Sequence, residues 1–136
     1  MRILFICKYN RFRSKVAEAI FNSINKNKKI KAESAGFTID KERPYIEPVV
    51  IEIMKRKGYK MKKPIPRKIN LNLLKKFDML IITANNVYKN SFKNFNGKII
   101  KWKIKDCPSI NLKCIKSSIN KIEMNIKRLV KELKKD

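Results

Sequence analysis

Short apolar runs alternate with periodic apolar stripes along this chain. The runs Ile3–Ile6 and Met79–Ile82 are apolar at every position, which is typical of parallel strands that are buried on both faces. The segments Ile30–Ser34 and Lys98–Ile104 alternate apolar and polar residues and predict two further strands. Four strands are therefore expected, the first of them close to the N-terminus.

Helices are predicted where apolar residues recur every three or four positions. The clearest is C-terminal, where an apolar seam runs from Ile115 to Leu133 in steps of four and three. Gly58 and the lysines before it are typical of a helix end. The other predicted helices cover Ser14–Asn25, Pro44–Lys57, Leu71–Lys76 and Asn85–Phe92.

Strands that alternate with helices predict an α/β fold with a parallel sheet and right-handed crossovers. The 136 residues contain no linker and no internal repeat, so we interpret residues 1–136 as one domain. The carboxyl ends of parallel strands meet at one edge of the sheet, where ligands bind. Cys7, Thr83 and Asp106 follow the first, third and fourth predicted strands. We expect these three residues to converge on one crevice.

The composition excludes several classes of protein. The chain has no histidine, which excludes Ser-His-Asp and Cys-His catalysis and the usual zinc enzyme sites. Its three cysteines, with Cys7 far from the others, argue against a secreted disulfide framework and a zinc knuckle. No apolar run approaches the roughly 18 residues of a membrane span, and the N-terminal run is too short for a signal peptide. We therefore expect a cytoplasmic protein without membrane contact.

The formal net charge of +24 is extreme for a chain of this length. A solvated lysine-rich surface explains it most simply, since the lysines are spread along the whole chain. Alternatively, the charge attracts an anionic partner such as a phosphoprotein, a nucleotide or a nucleic acid. The sequence has no RNA-recognition aromatic motif and no zinc finger, so nucleic acid is not the expected partner.

The stretch between the first strand and the first helix carries the candidate chemistry. Five residues separate Cys7 from Arg13, enough backbone to surround one tetrahedral oxyanion beside a helix N-terminus. The helix dipole and the arginine favour the thiolate form of a cysteine placed there. The alternative interpretation is that Cys7 is a buried, unreactive cysteine at the end of a strand. The candidate phosphate-binding residues are Lys8, Tyr9, Asn10, Arg11, Phe12, Arg13 and Ser14.

These residue types suit a two-step phosphoryl transfer. A Cys7 thiolate can attack phosphorus in line and form a phosphocysteine, while the planar fork of Arg13 matches two phosphoryl oxygens. Ser14 can donate its hydroxyl to the thiolate. Because the chain has no histidine, a carboxylic acid is the natural proton donor to the leaving oxygen. Water then hydrolyses the intermediate.

Cys7–Ser14 followed by Ala17-Glu18-Ala19 resembles the low-molecular-weight protein tyrosine phosphatase family, which also includes thiol-linked arsenate reductases. Ser34-Ala35-Gly36, Gly58 and Phe77-Asp78 match that family as well, so the resemblance spans nearly the whole chain. It implies a three-layer α/β sandwich, a four-stranded parallel sheet with helices on both faces and an N-terminal phosphate-binding loop. It also implies phosphomonoester hydrolysis without a metal or cofactor.

The resemblance assigns roles to individual residues. Cys7 resembles the nucleophile, Arg13 the phosphate clamp, Ser14 the donor to the thiolate, and Asn10 the asparagine that holds the loop's shape. The family's general acid is an aspartate followed by proline after strand four, and Asp106-Cys107-Pro108 is one residue wider. Asp106 is the expected acid. Asp40 is its rival, and a surface Asp106 without a role is the third possibility.

The loop departs from the family at three points. Tyr9 stands where the family has glycine, so the resemblance does not extend to the backbone angles at that peptide. Phe12 replaces a second loop cysteine, which removes a loop disulfide, and Lys8 and Arg11 add positive charge at the mouth. The tyrosine phosphatases of the family hold the substrate ring between aromatic residues. The candidates for this role are Tyr9, Phe12, Tyr45 and Tyr88.

Cys107 and Cys114 flank the loop expected to overhang the site. The favoured interpretation is that they are small apolar residues packing the C-terminal helix; alternatively, Cys107 forms a disulfide with an oxidised Cys7.

We expect a monomeric protein tyrosine phosphatase that binds phosphate or another oxyanion in its loop and acts on a phosphorylated protein or a small phosphomonoester. The alternatives are an arsenate reductase, with Cys107 or Cys114 resolving, and a non-catalytic basic protein that binds phosphates or nucleic acid.

Overall fold

The computed structural model describes residues 1–62 and 64–134. Its centre is a sheet of four parallel strands in the order β2-β1-β3-β4. The strands are β1 (Arg2–Cys7), β2 (Lys31–Gly36), β3 (Met79–Ile82) and β4 (Lys98–Lys101). Strands β1 and β3 lie in the middle of the sheet, which explains why both are apolar at nearly every position. The predicted parallel α/β fold is confirmed.

Helices cover both faces of this sheet. They are α1 (Arg13–Ile24), α2 (Pro48–Arg56), α3 (Leu71–Leu74) and α4 (Leu112–Leu133), with a 3-10 turn at Lys89–Phe92. Alternate strand residues such as Phe5 and Ile81 pack with α1, α2 and α4 in one core. The intervening ones, such as Leu4 and Leu80, pack with Phe92 and the partly buried leucines of α3 in the other. The predicted three-layer sandwich is confirmed.

The second helix begins later than predicted. It starts at Pro48 rather than Pro44, because Glu47 has extended backbone angles and Pro48 occupies a first-turn position, where proline's missing N–H costs nothing. Arg11 holds the residues before the helix, since its Nε donates to the Tyr45 carbonyl over 2.8 Å. The segment before the helix is thus held against the loop that follows β1.

The region after β3 also differs from the prediction. A helix was expected over Asn85–Phe92, but only the 3-10 turn at Lys89–Phe92 forms. The Asn85 N–H donates to the Ile104 carbonyl over 3.1 Å, which holds its backbone away from a helical path. Strand β4 ends at Lys101 rather than Ile104, because its pairing with β3 ends where Lys101 lies opposite Ile82, the last residue of β3.

The remaining boundaries differ little. Strand β2 continues to Gly36 instead of Ser34, because Ala35 and Gly36 pair with Ile6 and Cys7. Helix α1 is displaced by one residue from the prediction, and α3 ends two residues early. Within the part of the chain that the structure describes, no helix is long and apolar enough to cross a membrane.

Candidate active site

Cys7 ends β1 and lies at the floor of a cavity of about 350 Å³. The Cys7 loop, residues 7–13, curls from β1 into α1. Cys7 is a free thiol and 2% exposed. Helix α1 begins immediately after the loop without a side-chain cap. Its first N–H groups therefore remain available for an anion in the cavity, and the helix dipole favours negative charge there.

A chain of hydrogen bonds leads from the buried thiol to the partly buried Glu18. Ser14 Oγ lies 3.0 Å from Cys7 Sγ and accepts a hydrogen bond from Asn10 Nδ2 over 2.7 Å. Since Asn10 occupies one lone pair of that hydroxyl, the Ser14 hydrogen is free to point at sulfur. Asn10 Nδ2 also donates to Ser34 Oγ, whose hydroxyl donates to Glu18 Oε1 over 2.5 Å. This arrangement leaves the Ser14 hydroxyl able to donate a hydrogen bond to the Cys7 sulfur.

Asn10 sets the shape of the Cys7 loop. Its φ of 55° is the only positive value at a non-glycine position among the described residues, and asparagine tolerates this left-handed conformation. The Asn10 Oδ1 accepts the Arg67 N–H over 3.0 Å, which identifies Nδ2 as the donor to Ser14. Tyr9 does not adopt a positive φ. A tyrosine in place of the family's glycine is therefore compatible with the loop backbone.

Gly36 gives the loop its space. A Cβ added there would lie 2.8 Å from the Tyr9 carbonyl carbon and 2.9 Å from the Asn10 nitrogen. The Cys7 loop consequently packs against β2 only because position 36 has no side chain.

The Arg13 side chain is 2% exposed and held by residues that follow β3 and β4. Its Nη1 donates to the Ile104 carbonyl over 3.0 Å and to Asn85 Oδ1 over 3.3 Å, and its Nη2 donates to Asn86 Oδ1 over 3.1 Å. Among the described residues, no hydrogen-bond acceptor is found for the Nε–H and the second Nη2 hydrogen of Arg13, which leaves both donors for a ligand. This edge of the fork is the one that matches two oxygens of an oxyanion.

Asp106 lies in the wall of the same cavity. Its Oδ2 is 3.7 Å from Arg13 Nη2, and its Oδ1 accepts the Cys107 N–H over 2.9 Å. The carboxylate side chain is 50% exposed. The structure thus brings Cys7 and Arg13 of the Cys7 loop to one cavity with Asp106 from the segment after β4. Thr83, also expected there, is buried outside the cavity lining and donates its hydroxyl to the Ile6 carbonyl.

The rival carboxylate lies elsewhere. Asp40 does not line the cavity and pairs with Arg43 Nε at 3.1 Å. Desolvation acts to raise the pKa of Asp40, but hydrogen bonds from the Arg43 backbone and side chain outweigh it and hold the pKa below its ordinary value of 3.8. A carboxyl group held in the ionised form is a poor proton donor.

The predicted loop residues divide into two groups. Tyr9, Arg11, Phe12 and Arg13 line the cavity, whereas Lys8, Asn10 and Ser14 do not. The Lys8 ammonium lies over the Phe37 ring, and Asn10 and Ser14 are fully buried behind the thiol. Residues of the second group can still offer backbone N–H groups or hold the loop.

Arg11 carries its charge as part of an ion pair. It is 8% exposed, and its Nη2 lies 2.6 Å from Glu47 Oε1. Of the aromatic candidates, Tyr9 and Phe12 line the cavity. Tyr45 instead covers the Arg11 guanidinium, and Tyr88 covers the Lys101 ammonium.

The two remaining cysteines form a disulfide with each other. The sequence predicted either apolar packing of both cysteines or a disulfide between Cys107 and Cys7, and neither prediction includes this pairing. Cys107 does pack partly against the core. Asn111 explains it: its side chain caps α4 by accepting the Cys114 N–H over 3.0 Å, and its N–H donates to the Pro108 carbonyl. This tight turn brings the Cα atoms of Cys107 and Cys114 to 5.8 Å, a distance typical of disulfides.

Sequence reasoning missed the residues that hold the site together. Asn85 and Asn86 follow the central strand β3, where polar residues at a carboxyl end are a usable signal. The resemblance to the family includes Ser34 and Glu18 but assigns neither of them a role. The contact of Arg67 with the Cys7 loop had no signal, since it spans 57 residues of sequence.

Comparison with known proteins places this chain in a family. The profile of the family described as low molecular weight phosphotyrosine protein phosphatase matches residues 2–136. The chain belongs to this family, and the resemblance read from its loop is confirmed. No protein with a curated description matches the chain in sequence.

Solved structures with this fold include both phosphatases and arsenate reductases. An arsenate reductase from Archaeoglobus fulgidus is 27% identical with a TM-score of 0.75, over 94% of this chain and 98% of that one. A low molecular weight protein tyrosine phosphatase from T. tengcongensis is 23% identical with a TM-score of 0.83, over 97% and 99%. The YwlE arginine phosphatase from Geobacillus stearothermophilus is 16% identical with a TM-score of 0.81, over 98% and 93%.

Proposed function

We propose that this protein is a phosphomonoester hydrolase of the protein tyrosine phosphatase type, with Cys7 as nucleophile and Asp106 as general acid. One observation carries the proposal: the Cys7 sulfur, paired with Ser14 Oγ at 3.0 Å, shares a cavity with the Arg13 fork and the Asp106 carboxylate. The family supports phosphatase chemistry in general, and the geometry of these three residues supports this particular mechanism.

In the first step, the Cys7 thiolate attacks phosphorus while the bond from phosphorus to the ester oxygen breaks. Arg13 and the N–H groups of the Cys7 loop stabilise the negative charge on the phosphoryl oxygens. Asp106 transfers its proton to the departing oxygen, which leaves as an alcohol or phenol. The product of this step is a phosphocysteine.

In the second step, water attacks the phosphocysteine. The Asp106 carboxylate accepts a proton from that water, the bond from sulfur to phosphorus breaks, and inorganic phosphate leaves. The Ser14 hydroxyl again donates to the Cys7 thiolate. One aspartate thus serves both half-reactions without a metal or cofactor.

The cavity lining favours an aromatic phosphate ester. Tyr9, Phe12, Val50, Pro108 and Ile115 form its apolar part, and such side chains pack against a planar ring. We infer that a phosphotyrosine side chain of a protein, or a small aryl phosphate, is the substrate.

Hydrolysis of p-nitrophenyl phosphate in the presence of EDTA tests the nucleophile. We expect turnover by the wild-type protein and a loss of roughly 10³-fold or more for Cys7→Ser, because the serine hydroxyl is a far weaker nucleophile at neutral pH. Competition by inorganic phosphate against a bound aryl phosphate checks that Cys7→Ser still folds and binds. Undiminished turnover by Cys7→Ser would exclude the mechanism.

The general acid is tested through the leaving group. Asp106→Asn should lower kcat/KM, which reports the first half-reaction alone, by about 10²-fold or more for phenyl phosphate, whose leaving group needs a proton, and much less for p-nitrophenyl phosphate. Asp40→Asn is the matched control and should leave both rates unchanged. If Asp40→Asn shows the leaving-group effect and Asp106→Asn does not, the assignment of the acid is wrong.

One observation favours arsenate reduction as a second candidate: Cys107 lines the same cavity as Cys7 and forms a disulfide with Cys114. After Cys7 attacks arsenate with loss of water, Cys107 would attack the Cys7 sulfur, and arsenic would leave with the bonding electrons as arsenite. Attack by Cys114 on Cys107 then gives the observed disulfide. Arsenate-dependent oxidation of a dithiol such as reduced thioredoxin, absent in Cys114→Ser, would support this activity.

A further inference from the structure

Noncovalent contacts hold part of the segment that carries Asp106: Asp106 Oδ2 lies 3.7 Å from Arg13 Nη2, and Cys107 packs partly against the core. This acid loop, residues 105–111, joins the end of β4 to α4 without regular secondary structure. All of its residues except Cys107 are exposed. At its start, Ser118 Oγ donates to the Lys105 carbonyl over 3.3 Å. At its end, the Asn111 N–H donates to the Pro108 carbonyl over 3.0 Å.

The covalent attachment lies next to the carboxylate. Cys107 follows Asp106 directly, donates its N–H to Asp106 Oδ1 over 2.9 Å and is bonded to Cys114 in the first turn of α4. Helix α4 is itself fixed to the core by buried residues such as Ile115 and Ile119. The disulfide therefore transmits the rigid position of α4 to the residue beside the acid.

We propose that the disulfide between Cys107 and Cys114 positions Asp106 for proton transfer, so that the rate of leaving-group departure depends on the redox state of this pair. The proposal rests on the proposed function, in which Asp106 is the general acid. Cys107 and Cys114 are positioning residues here, because they act on the leaving oxygen only through Asp106.

The redox step uses a dithiol reductant. A thiolate of the reductant attacks one sulfur of the pair, which forms a mixed disulfide and releases the other cysteine. The second thiol of the reductant then attacks its own sulfur in the mixed disulfide and releases the remaining cysteine. The bond between Cys107 and Cys114 breaks, two protons and two electrons form two thiols, and the reductant leaves as a disulfide. Cys114 is partly exposed, so a reductant can reach the bond. Cys7 is already a free thiol and does not change.

Loss of the bond should loosen the acid loop without unfolding the helix. Helix α4 keeps its Asn111 cap and its buried stripe of isoleucines, which do not depend on the disulfide. The Cys107 sulfur keeps a contact with Ser118 Oγ at 3.5 Å. The expected change is a wider distribution of Asp106 positions, and a displacement of about 1 Å is enough to cost a large factor in rate.

The experiment compares oxidised protein with protein reduced by dithiothreitol, under argon, on two substrates. Titration of free thiols should rise from one to three, since the chain has three cysteines and Cys7 is free. Reduction should lower kcat/KM, which reports the first half-reaction alone, by about 10-fold or more for phenyl phosphate and by less than about 2-fold for p-nitrophenyl phosphate, because nitrophenolate leaves without a proton. Cys114→Ser should reproduce the reduced state and not respond to dithiothreitol.

Asp106→Asn provides the matched control. With the acid removed, reduction should have no further effect on phenyl phosphate, as expected for two changes that act through one group. Equal leaving-group dependence in both redox states, or a redox effect that persists in Asp106→Asn, would overturn the positioning role. Absence of any Cys7-dependent hydrolysis would instead overturn the proposed function, so the two failures are distinguishable.

Discussion

Gly36 and Asn10 decide the shape of the Cys7 loop. The loop packs so closely on β2 that an added Cβ at position 36 would meet Thr38, Tyr9 and Asn10 backbone atoms within 3 Å. Asn10 adopts the left-handed conformation and joins the loop to Ser14 and Ser34. Tyr9, where a glycine was expected, needs no unusual angle. The glycine requirement of the loop thus lies on a neighbouring strand.

Gly36→Ala tests this arrangement. The new methyl group must displace backbone of the Cys7 loop, so we expect a loss of about 1–3 kcal/mol in unfolding free energy and a decrease of about 10-fold or more in kcat/KM. Urea unfolding and p-nitrophenyl phosphate kinetics measure the two effects.

Gly58→Ala is the matched control. Gly58 has a φ of 86°, with no atom within 4 Å of an added Cβ, and it lies outside the cavity lining. This substitution should cost about 1 kcal/mol of stability from the left-handed backbone alone and leave kcat/KM unchanged. A similar kinetic loss in both variants would show that Gly36 acts only through stability.

The site depends on how elements are joined as much as on which residues they carry. Arg13 opens α1, but its fork is oriented by the segments that follow β3 and β4. Sequence patterns placed these segments next to one another, because parallel strands end at a common edge. They did not reveal that Asn85 and Asn86 bind Arg13, since a side-chain contact across 72 or 73 residues has no periodic signal.

Asn86→Ala measures this contribution. Losing the hydrogen bond from Arg13 Nη2 to Asn86 Oδ1 should let the fork rotate. We expect KM for aryl phosphates and Ki for inorganic phosphate to rise about 10-fold, in line with about 1.5 kcal/mol for a hydrogen bond to a charged group. Asn94→Ala, an exposed position outside the cavity, is the control. Unchanged phosphate affinity in Asn86→Ala would show that Arg13 is fixed by other contacts.

Glu33 on β2 joins two further segments. Its Oε2 accepts from Arg2 of β1 over 2.7 Å and its Oε1 accepts from Arg67 over 2.9 Å. Desolvation acts to raise the pKa of Glu33, but hydrogen bonds from the two arginines outweigh it and lower the pKa from its ordinary value of 4.5. A lowered pKa means that this stabilisation is present above pH 4.5 and is lost as the pH falls below it.

Glu33→Gln should therefore be less stable than the wild type at pH 7, by on the order of 0.5–1 kcal/mol for partly exposed ion pairs, and the difference should shrink as the pH falls below 4.5. Urea unfolding at several pH values measures it. A difference that stays constant between pH 7 and pH 3 would contradict a contribution from the Glu33 charge.

At the scale of the whole molecule, the dominant property is charge. The chain carries 35 Lys and Arg against 11 Asp and Glu, and two cationic side chains, Arg11 and Arg43, line the cavity beside Arg13. A positive field of this size raises the local concentration of anions and the rate at which they arrive. Its effect is long-ranged and is therefore screened by salt.

The rate at which the Cys7 thiol is alkylated distinguishes the attraction of anions to the cavity from the intrinsic reactivity of the thiol. Anionic iodoacetate should react about 5-fold or more slowly at 0.5 M than at 0.05 M NaCl, whereas neutral iodoacetamide should react at a nearly constant rate. The loss of enzyme activity with time reports both reactions. The same salt dependence for the two reagents would show that salt changes the thiol itself and not the attraction of anions.

The sequence by itself determined four strands in a parallel sheet and the approximate positions of the main helices, because burial on one or two faces imposes a hydrophobic period on each element. It also predicted the phosphate-binding loop, because a cysteine and an arginine with five residues between them lie between a buried strand and a helix. Only the tertiary structure decided what surrounds them: the Arg13 partners, the space at Gly36, the separation of Asp40 from the cavity and the disulfide beside Asp106. These are contacts between side chains or backbone atoms brought together by folding, and their geometry depends on turns that leave no period in the sequence.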